Sequence, residues 1–437
     1  MPYKAGERLP AERASRLGHL DVLKSELVKK LCKSFEDTVQ SPISTFDSWR
    51  AIPTNGKPLP LVFGVDGSMQ VIESETPPYK ALAFVKTALL RVDQVALSSI
   101  DEESPHPLAL RDILADSALY HATVLPLRHV VVPGITVYDA VRQTIFESVK
   151  DASLDGELLE TLKWIAYEKW DGKKKNIPPF ECPHCEGKDS ATLPYDSVEG
   201  NCPSCNGKLF LTDMLGFHQE MAPDSAPETV ATAYMSIHET LLLFTGVRYY
   251  WEKNKEVLKN CLFVKDGPLT IRAQYSKLVN PIRRFLAFSR NQGYHVNIIG
   301  QEKTGAFADH LQLIGNNAPI KSLFIPGNQY IKEKIQHRPN RGAPYGKDTN
   351  YGAKVFVRIS HYHQTVLNIP TGEYVENPTF SNLIGVERIF ATLPTILSSR
   401  FEGALLPIEL AHGVASLSTY PSAQILKIFA EAKGQMD

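Results

Sequence analysis

Leu59-Pro60-Leu61-Val62-Phe63-Gly64-Val65-Asp66-Gly67-Ser68 and Cys261-Leu262-Phe263-Val264-Lys265-Asp266-Gly267-Pro268-Leu269 are two short apolar runs that each end in an acid followed by glycine. Runs of this length and composition read as buried strands. A strand that delivers a carboxylate at its end, with glycine to let backbone or ligand approach, suits a divalent cation held against phosphate. One Asp-Gly alone reads as a turn. Repetition of the pattern, with the polar clusters that follow it, points to metal-dependent phosphodiester chemistry.

Working outward, Val71-Ile72 and Ala81-Leu82-Ala83-Phe84-Val85 supply strand material for a meander after the first run. The longest helical pattern, from Pro227 to about Lys255, leads directly into the second run and carries Met235, Leu241-Leu242-Leu243, Val247 and Tyr250 with few breakers. Within it Glu239 sits amid apolar residues, so its carboxylate must be paired, protonated or metal-bound to offset desolvation. A helix from about Tyr275 to Arg290, with the basic pair Arg283-Arg284, precedes the strand His295-Val296-Asn297-Ile298-Ile299-Gly300. That strand runs into Gln301-Glu302-Lys303-Thr304-Gly305. The order of elements defines an α/β protein.

The chain has 437 residues, 43% hydrophobic and 22% charged, room for two or three domains with a sizeable core. Its 47 basic and 48 acidic residues balance, so any nucleic-acid binding must be local rather than a property of the whole charge. No stretch approaches the roughly 20 apolar residues of a membrane span, and Met1-Pro2-Tyr3-Lys4-Ala5-Gly6-Glu7-Arg8 lacks the layout of a signal peptide, so a cytoplasmic location is expected.

Four of the six cysteines form two C-x2-C knuckles, Cys182-Pro183-His184-Cys185 and Cys202-Pro203-Ser204-Cys205, with sixteen residues between them. This is the spacing of a four-thiolate zinc ribbon, with Gly187 and Gly207 suiting the tight backbone beyond each knuckle. A redox dithiol pair or disulfides are the rival readings, and a cytoplasmic setting disfavours the latter. The segment around the knuckles reads as polar and poor in core-forming residues, which would leave much of its folding energy to the metal. His184 reads as a solvent-facing neighbour of the site, and Cys32 and Cys261 as small core side chains.

Val65-Asp66-Gly67-Ser68, helical Glu239, Val264-Lys265-Asp266-Gly267-Pro268-Leu269, Gly300-Gln301-Glu302-Lys303-Thr304-Gly305 and Leu406-Pro407-Ile408-Glu409-Leu410-Ala411-His412 occur in the order and with the character of the NurA nuclease family. The resemblance covers about residues 55–430, and its specificity lies in five short motifs in sequence. It implies a ribonuclease H-like mixed sheet flanked by helices. It also implies a dependence on manganese or magnesium, degradation of DNA, a homodimer, and work with a HerA-type hexameric DNA-translocating ATPase in antiviral defence or DNA-end processing. Asp66, Glu239 and Asp266 would then bracket the cations of a two-metal site, Lys303 would neutralise phosphate charge, and His412 would ligate a second metal or shuttle a proton. Glu252 is the fallback for the helical ligand. The runner-up function is a non-catalytic DNA-binding or scaffolding subunit of the same kind of complex; a metal-dependent enzyme acting on a nucleotide is a third reading.

The four-cysteine ribbon departs from the better-known archaeal members and reads as an insertion. The expected division is an amphipathic helical segment at 1–50, serving oligomer or partner contact, nuclease core at 51–152, the insertion at 153–221 and the rest of the core at 222–437. In the first segment Leu17, Leu20, Leu23, Leu27, Leu31 and Phe35 give a helical stripe from about Ala11 to Val39. The run from Ser153 to Trp170 reads as helical. Lys332, Lys334, His337, Arg338, Arg341 and Lys347 make Tyr330 to Tyr351 a basic stretch, either a DNA-gripping loop or merely exposed. Val355 to Ile359 reads as an edge strand, and alternate spacing would place His361 and His363 on one face of its continuation. Glu302 is expected to orient Lys303, and Asp309-His310 to support the site from behind.

Overall fold

The structure, a computed structural model, describes residues 18–35, 48–93, 118–272, 277–338, 342–398, 403–417 and 421–432. The chain divides into a unit Met1–Ser44 and a unit Thr45–Asp437. In the first, α1 (Gly18–Lys24) and α2 (Glu26–Ser34) replace the single helix expected from about 11 to 39, whose outer residues lie outside the described ones. Ser25 makes the break: its backbone is extended and its hydroxyl accepts the Val28 amide, the chemistry of an N-cap. Leu23, Leu27, Leu31 and Phe35 are all exposed. Cys32, expected in a core, is exposed as well, because no described residue of this unit is packed over it.

The second unit is built on a nine-stranded sheet. In chain order its strands are β1 (Arg50–Ala51), β2 (Leu61–Glu73), β3 (Ala81–Asp93), β4 (Ala118–Arg128), β7 (Cys261–Asp266), β8 (Asn297–Glu302), β9 (Ser322–Phe324), β10 (Ala353–Arg358) and β11 (Gln364–Ile369), while β5 (Glu199–Asn201) and β6 (Lys208–Phe210) form a separate hairpin. The spatial order is β1-β9-β10-β11-β8-β7-β2-β3-β4. β2, β3 and β4 form an antiparallel meander, β7 lies parallel to β2, and β8 lies parallel to β7. A meander followed by a helix and two parallel strands is the ribonuclease H-like core; β11, β10, β9 and β1 extend it antiparallel beyond β8.

Strand periodicity sorts the two faces. Phe63, Val65, Phe263 and Ile298 point to one face, where Leu241, Leu242, Phe244 and Val247 of the long helix α5 (Glu228–Lys253) cover them. Val62, Leu262, Val264, Ile299 and Leu367 point to the other, against Val386, Ile389 and Phe390 of α8 (Val386–Thr392) and Ile408 and Ala411 of α9 (Leu406–Ala415). The other helices of ten or more residues among the described ones are α3 (Val137–Lys150), α4 (Glu157–Ala166), α6 (Val279–Asn291), α7 (Ala306–Gly315) and α10 (Ser422–Ala432). Gly64 brings α9 onto β2: a Cβ at this position would run into the Pro407 carbonyl, so only glycine permits the approach. Among the described residues no helix is long and apolar enough to cross a membrane.

Four local expectations are corrected. The Ser153–Trp170 helix is α4 flanked by two 3-10 turns, with Asp155 and Gly156 in left-handed backbone separating the first turn from α4. β10 is not an edge strand, since β9 and β11 pair with it on both sides. His361 and His363 lie in the β10–β11 turn rather than on a strand, and His363 Nδ1 bonds the Ser360 hydroxyl at 3.1 Å. The segment around the knuckles is rich in buried side chains, because its aromatic and aliphatic residues, Trp164, Phe180, Leu193, Leu209 and Leu211 among them, belong to the α5-side core.

Candidate functional site

The β2–β7 register aligns Leu61 with Cys261 and Val65 with Lys265, so Asp66 and Asp266 are the next residues on two parallel neighbours. Both belong to the set that points to the α9 side. Asp66 is buried. Its Oδ1 accepts the Gly67 amide at 2.8 Å and its Oδ2 lies 2.7 Å from His412 Nδ1 on α9. Burial, and then the charge of Asp266, raise the Asp66 carboxyl above its ordinary range, and the Gly67 and His412 contacts only partly oppose them. Asp266 Oδ1 pairs with Lys303 Nζ at 3.0 Å.

Glu239 comes from the opposite face, on α5. Its Oε2 is 2.5 Å from Lys265 Nζ, with both side chains buried, and its Oε1 abuts Gly67, where an added Cβ would sit 2.7 Å from it. The preceding residue pins this stretch of helix to the sheet: His238 Nδ1 bonds the Thr87 hydroxyl on β3 at 2.6 Å and its ring stacks on His121 of β4 at 4.7 Å. Burial pushes the Glu239 carboxyl up to about 7, with Lys265 opposing and the charges of Asp66 and Asp266 adding to the rise. The Lys265 ammonium is held above its usual value: Glu239 outweighs the burial that works against it.

Thus three separate pairs, Asp66 with His412, Asp266 with Lys303 and Glu239 with Lys265, lie where β2 and β7 run side by side, near enough for the charges of Asp66 and Asp266 to act on Glu239. No three of the acids and His412 bring their ligand atoms within 4.8 Å of one another. Glu252 does not join them, since it pairs with Arg248 at 3.3 Å. Glu302 bonds Lys354 and Asn368 rather than Lys303, and His310 bonds the Tyr330 hydroxyl at 2.8 Å. In the basic stretch Lys332 reaches the Gly342 carbonyl, and Arg341 lies outside the described residues.

Lys265 is the residue sequence reasoning passed over. Its signal was present, a lysine that follows four apolar residues inside a strand, which must find an anion if it is to be buried. Carboxylate oxygens are hard ligands of the kind that suit magnesium or manganese. Asp66 and Asp266 present such oxygens from adjacent strands; Glu239 offers one oxygen, the other being bonded to Lys265.

The second candidate centre is the cysteine quartet. Among the described residues it is the one group of three or more metal-ligating side chains whose ligand atoms lie within 4.8 Å of one another. Cys182 Sγ to Cys205 Sγ is 3.7 Å and Cys185 Sγ to Cys202 Sγ is 4.0 Å, close to the edge of a tetrahedron, about 3.8 Å, set by a zinc–sulfur bond of about 2.3 Å. Amides of His184 and Gly207 point at Cys182 and Cys205 sulfur. His184 is not a ligand; it is exposed and its Nε2 lies 2.8 Å from the Lys208 carbonyl. Buried Arg142 of α3 grips Asp213 through two bonds of 2.9 Å and the Lys208 carbonyl at 3.0 Å, tying α3 to the β5–β6 hairpin.

Near this junction His218 is buried, and burial lowers its imidazole to about 4. A histidine depressed in the native state takes up its proton more readily when unfolded, so its contribution to stability is present above about 6.5 and is lost as pH falls towards 4, about 3 kcal/mol in all. Raised Asp66 and Glu239 act with the opposite sign, gaining stability on acidification. The difference between wild type and His218→Phe isolates the histidine: urea unfolding from pH 7 to 4.5 should show a slope lower by up to about 1.4 kcal/mol per pH unit in the variant, and equal slopes would contradict it.

No protein-family model matches the chain, and no curated protein sequence matches it. Among solved structures it is similar to a crystal structure of NurA, aligned over 96% of this chain and 98% of that one at 13% identity and a TM-score of 0.30. A structure of NurA bound to dAMP and manganese aligns over 95% of this chain and 96% of the other, at 12% identity and a TM-score of 0.28. A third, of NurA with manganese, aligns over 95% and 98%, at 11% identity and a TM-score of 0.24.

Proposed function

We propose that this chain is a DNA nuclease of the NurA type that hydrolyses phosphodiester bonds with manganese or magnesium. The observation that supports the reading is that Asp66 and Asp266 stand next to each other on parallel strands of a ribonuclease H-like sheet, partnered by His412 and Lys303, with Glu239 of α5 close enough for its carboxyl to feel both charges. Asp66 and Asp266 would hold the cation, with the free oxygen of Glu239 completing the set. Divalent cations supply activation of water and neutralisation of charge at the scissile phosphate. Lys303 is tethered only through Asp266, and its side chain is partly exposed, so it can turn its ammonium to a phosphate oxygen. His412, more than half exposed and fixed through Nδ1 by Asp66, keeps Nε2 for proton exchange with the leaving oxygen.

The cysteine quartet would bind structural zinc. From the resemblance of its motifs we further infer a cytoplasmic homodimer partnered by a HerA-type hexameric ATPase, in antiviral defence or DNA-end processing. The direct test incubates linear duplex and single-stranded DNA with the purified chain in EDTA, and then with manganese or magnesium. Degradation should appear only with the metal. Salt-sensitive DNA binding without cleavage, in any of these conditions and with the ATPase added, would instead support the non-catalytic subunit; turnover of mononucleotides alone would support a nucleotide enzyme.

A further inference from the structure

The basic stretch from Tyr330 to Tyr351 carries an inference that rests on the nuclease reading and deepens it by placing the substrate strand. Its last residues are bonded to the segment that follows Asp266. The Ile271 amide donates to the Thr349 carbonyl at 2.8 Å, the Tyr351 amide donates to the Leu269 carbonyl at 2.9 Å, and Thr270 bridges Asn350. Lys347 therefore stands a few residues from a main-chain link to the loop that Asp266 opens. On its other side the Tyr345 ring packs on Phe307 at 5.4 Å, in the first turn of α7, the helix that follows Lys303. The loop thus borders both chain segments that supply the Asp266–Lys303 pair.

Its backbone is fixed from beneath. Buried Arg283 of α6 donates to the Lys347 carbonyl at 2.7 Å, to the Gly346 carbonyl at 3.0 Å and to that of Asn350, with its guanidinium 5.1 Å from the centre of the Tyr374 ring. A buried guanidinium is costly unless its donors are used, and here three bonds go to one surface loop. The Tyr345 amide donates to Asn328 Oδ1 at 2.8 Å and the Lys332 ammonium to the Gly342 carbonyl at 2.9 Å, which joins the loop to the turn at Asn328–Arg338. A loop held in this way presents its side chains from a set place, so little order is lost when they are engaged. What it presents is positive. Lys334, Arg338 and Lys347 are exposed, and none of their side chains has an ion-pair or hydrogen-bond partner among the described residues. Of the two acids in the stretch, Glu333 accepts a bond from Gln329 at 2.8 Å, and the charge of Asp348 acts on Arg283 and Tyr374. In a chain whose total charge is balanced, a local surplus of this kind is what draws a polyanion.

We propose that Lys334, Arg338 and Lys347 contact successive phosphates of a DNA strand and lead it to the Asp266–Lys303 pair. They are binding residues: they set the affinity for a long strand and take no part in the bond-breaking step. Because phosphate contacts carry no sequence information, the grip is independent of sequence.

Fluorescence anisotropy with labelled single-stranded and duplex oligonucleotides tests this on the full chain, zinc present, in EDTA and over a range of salt concentrations. Lys334→Ala, Arg338→Ala and Lys347→Ala combined should weaken binding about tenfold or more and flatten the slope of log affinity against log salt by about two to three, since each phosphate contact contributes about 0.7–0.9. Lys57→Ala, Lys150→Ala and Lys253→Ala combined, which removes as many exposed charges elsewhere, should bind as wild type does. Should the first triple variant melt below wild type, Lys347→Ala alone is decisive, with a slope flatter by about one. With manganese added, KM for DNA should rise while kcat and the hydrolysis of bis-p-nitrophenyl phosphate stay at wild-type values. Equal affinity and salt slope in wild type and the first triple variant would overturn the proposal, as would an equal loss in the second or a wild type that binds no DNA. A chain that binds DNA through these residues yet cleaves nothing with either metal would uphold the proposal and sink the nuclease reading; cleavage with KM unchanged in the first triple variant would do the reverse.

Discussion

Asp66→Asn should lower metal-dependent DNA cleavage by about a thousandfold while leaving the fold intact. Asparagine keeps the volume of the side chain and an oxygen for the Gly67 amide, so the packing of β2 survives. What disappears is the charge that would face the proposed cation and that partners His412. The native carboxylate is also a liability without a cation, because burial and Asp266 both disfavour its ionised form. A raised acid stabilises the fold only on the acid side of its native value, so at neutral pH the asparagine variant should melt at or above the wild-type temperature in metal-free buffer. Manganese should raise the wild-type melting temperature and leave the variant unmoved. Glu252→Gln, which alters a half-exposed carboxylate paired with buried Arg248, is the matched control and should cleave at the wild-type rate. Normal cleavage by Asp66→Asn would remove the site from this pocket.

Loss of zinc should be the largest effect on stability. The thiolate cluster sits at the margin of the α5-side core, with Cys182 and Cys202 buried in that core and Cys185 and Cys205 exposed. Four-thiolate zinc binding is worth about 10 kcal/mol or more in small peptides, the same size as the whole stability of a typical domain, about 5–15 kcal/mol. Cys202→Ser, or a strong chelator, should therefore lower the melting temperature by about 10 °C or more and expose the loops on either side of the knuckles to protease. Elemental analysis should find one zinc per wild-type chain and none in the variant. A zinc-free chain that melts with the wild type would show that the buried aromatics of this segment hold it unaided.

The acids were legible because chemistry restricts where they can stand: Asp66 and Asp266 end apolar runs, and Glu239 lies just before the apolar run Leu241-Leu242-Leu243-Phe244 in the middle of a long helix. His412 was legible only through the order of short motifs, since nothing local distinguishes a histidine near the end of a ten-residue helix. The partner of Lys265 was not legible. Which face of β7 it points to depends on register with β2, and register is set by long-range pairing that periodicity does not encode. The same limit explains β10, whose apolar and polar alternation at its end suggested an edge until β9 paired with it. Ser25 shows the converse. A helix stripe continued through it, but a serine side chain that competes for backbone amides ended one helix and began another.

Asp66 stands in the interior of a 13-residue strand that is paired with β3 along its whole length and with β7 up to Val65. An acid bound so firmly into the ladder has no hinge of its own. Lys303, by contrast, stands in the loop after β8 with its side chain partly exposed. Adjustment to a bound polymer would therefore fall to such loop groups, with the strand acting as the fixed anvil against which they move.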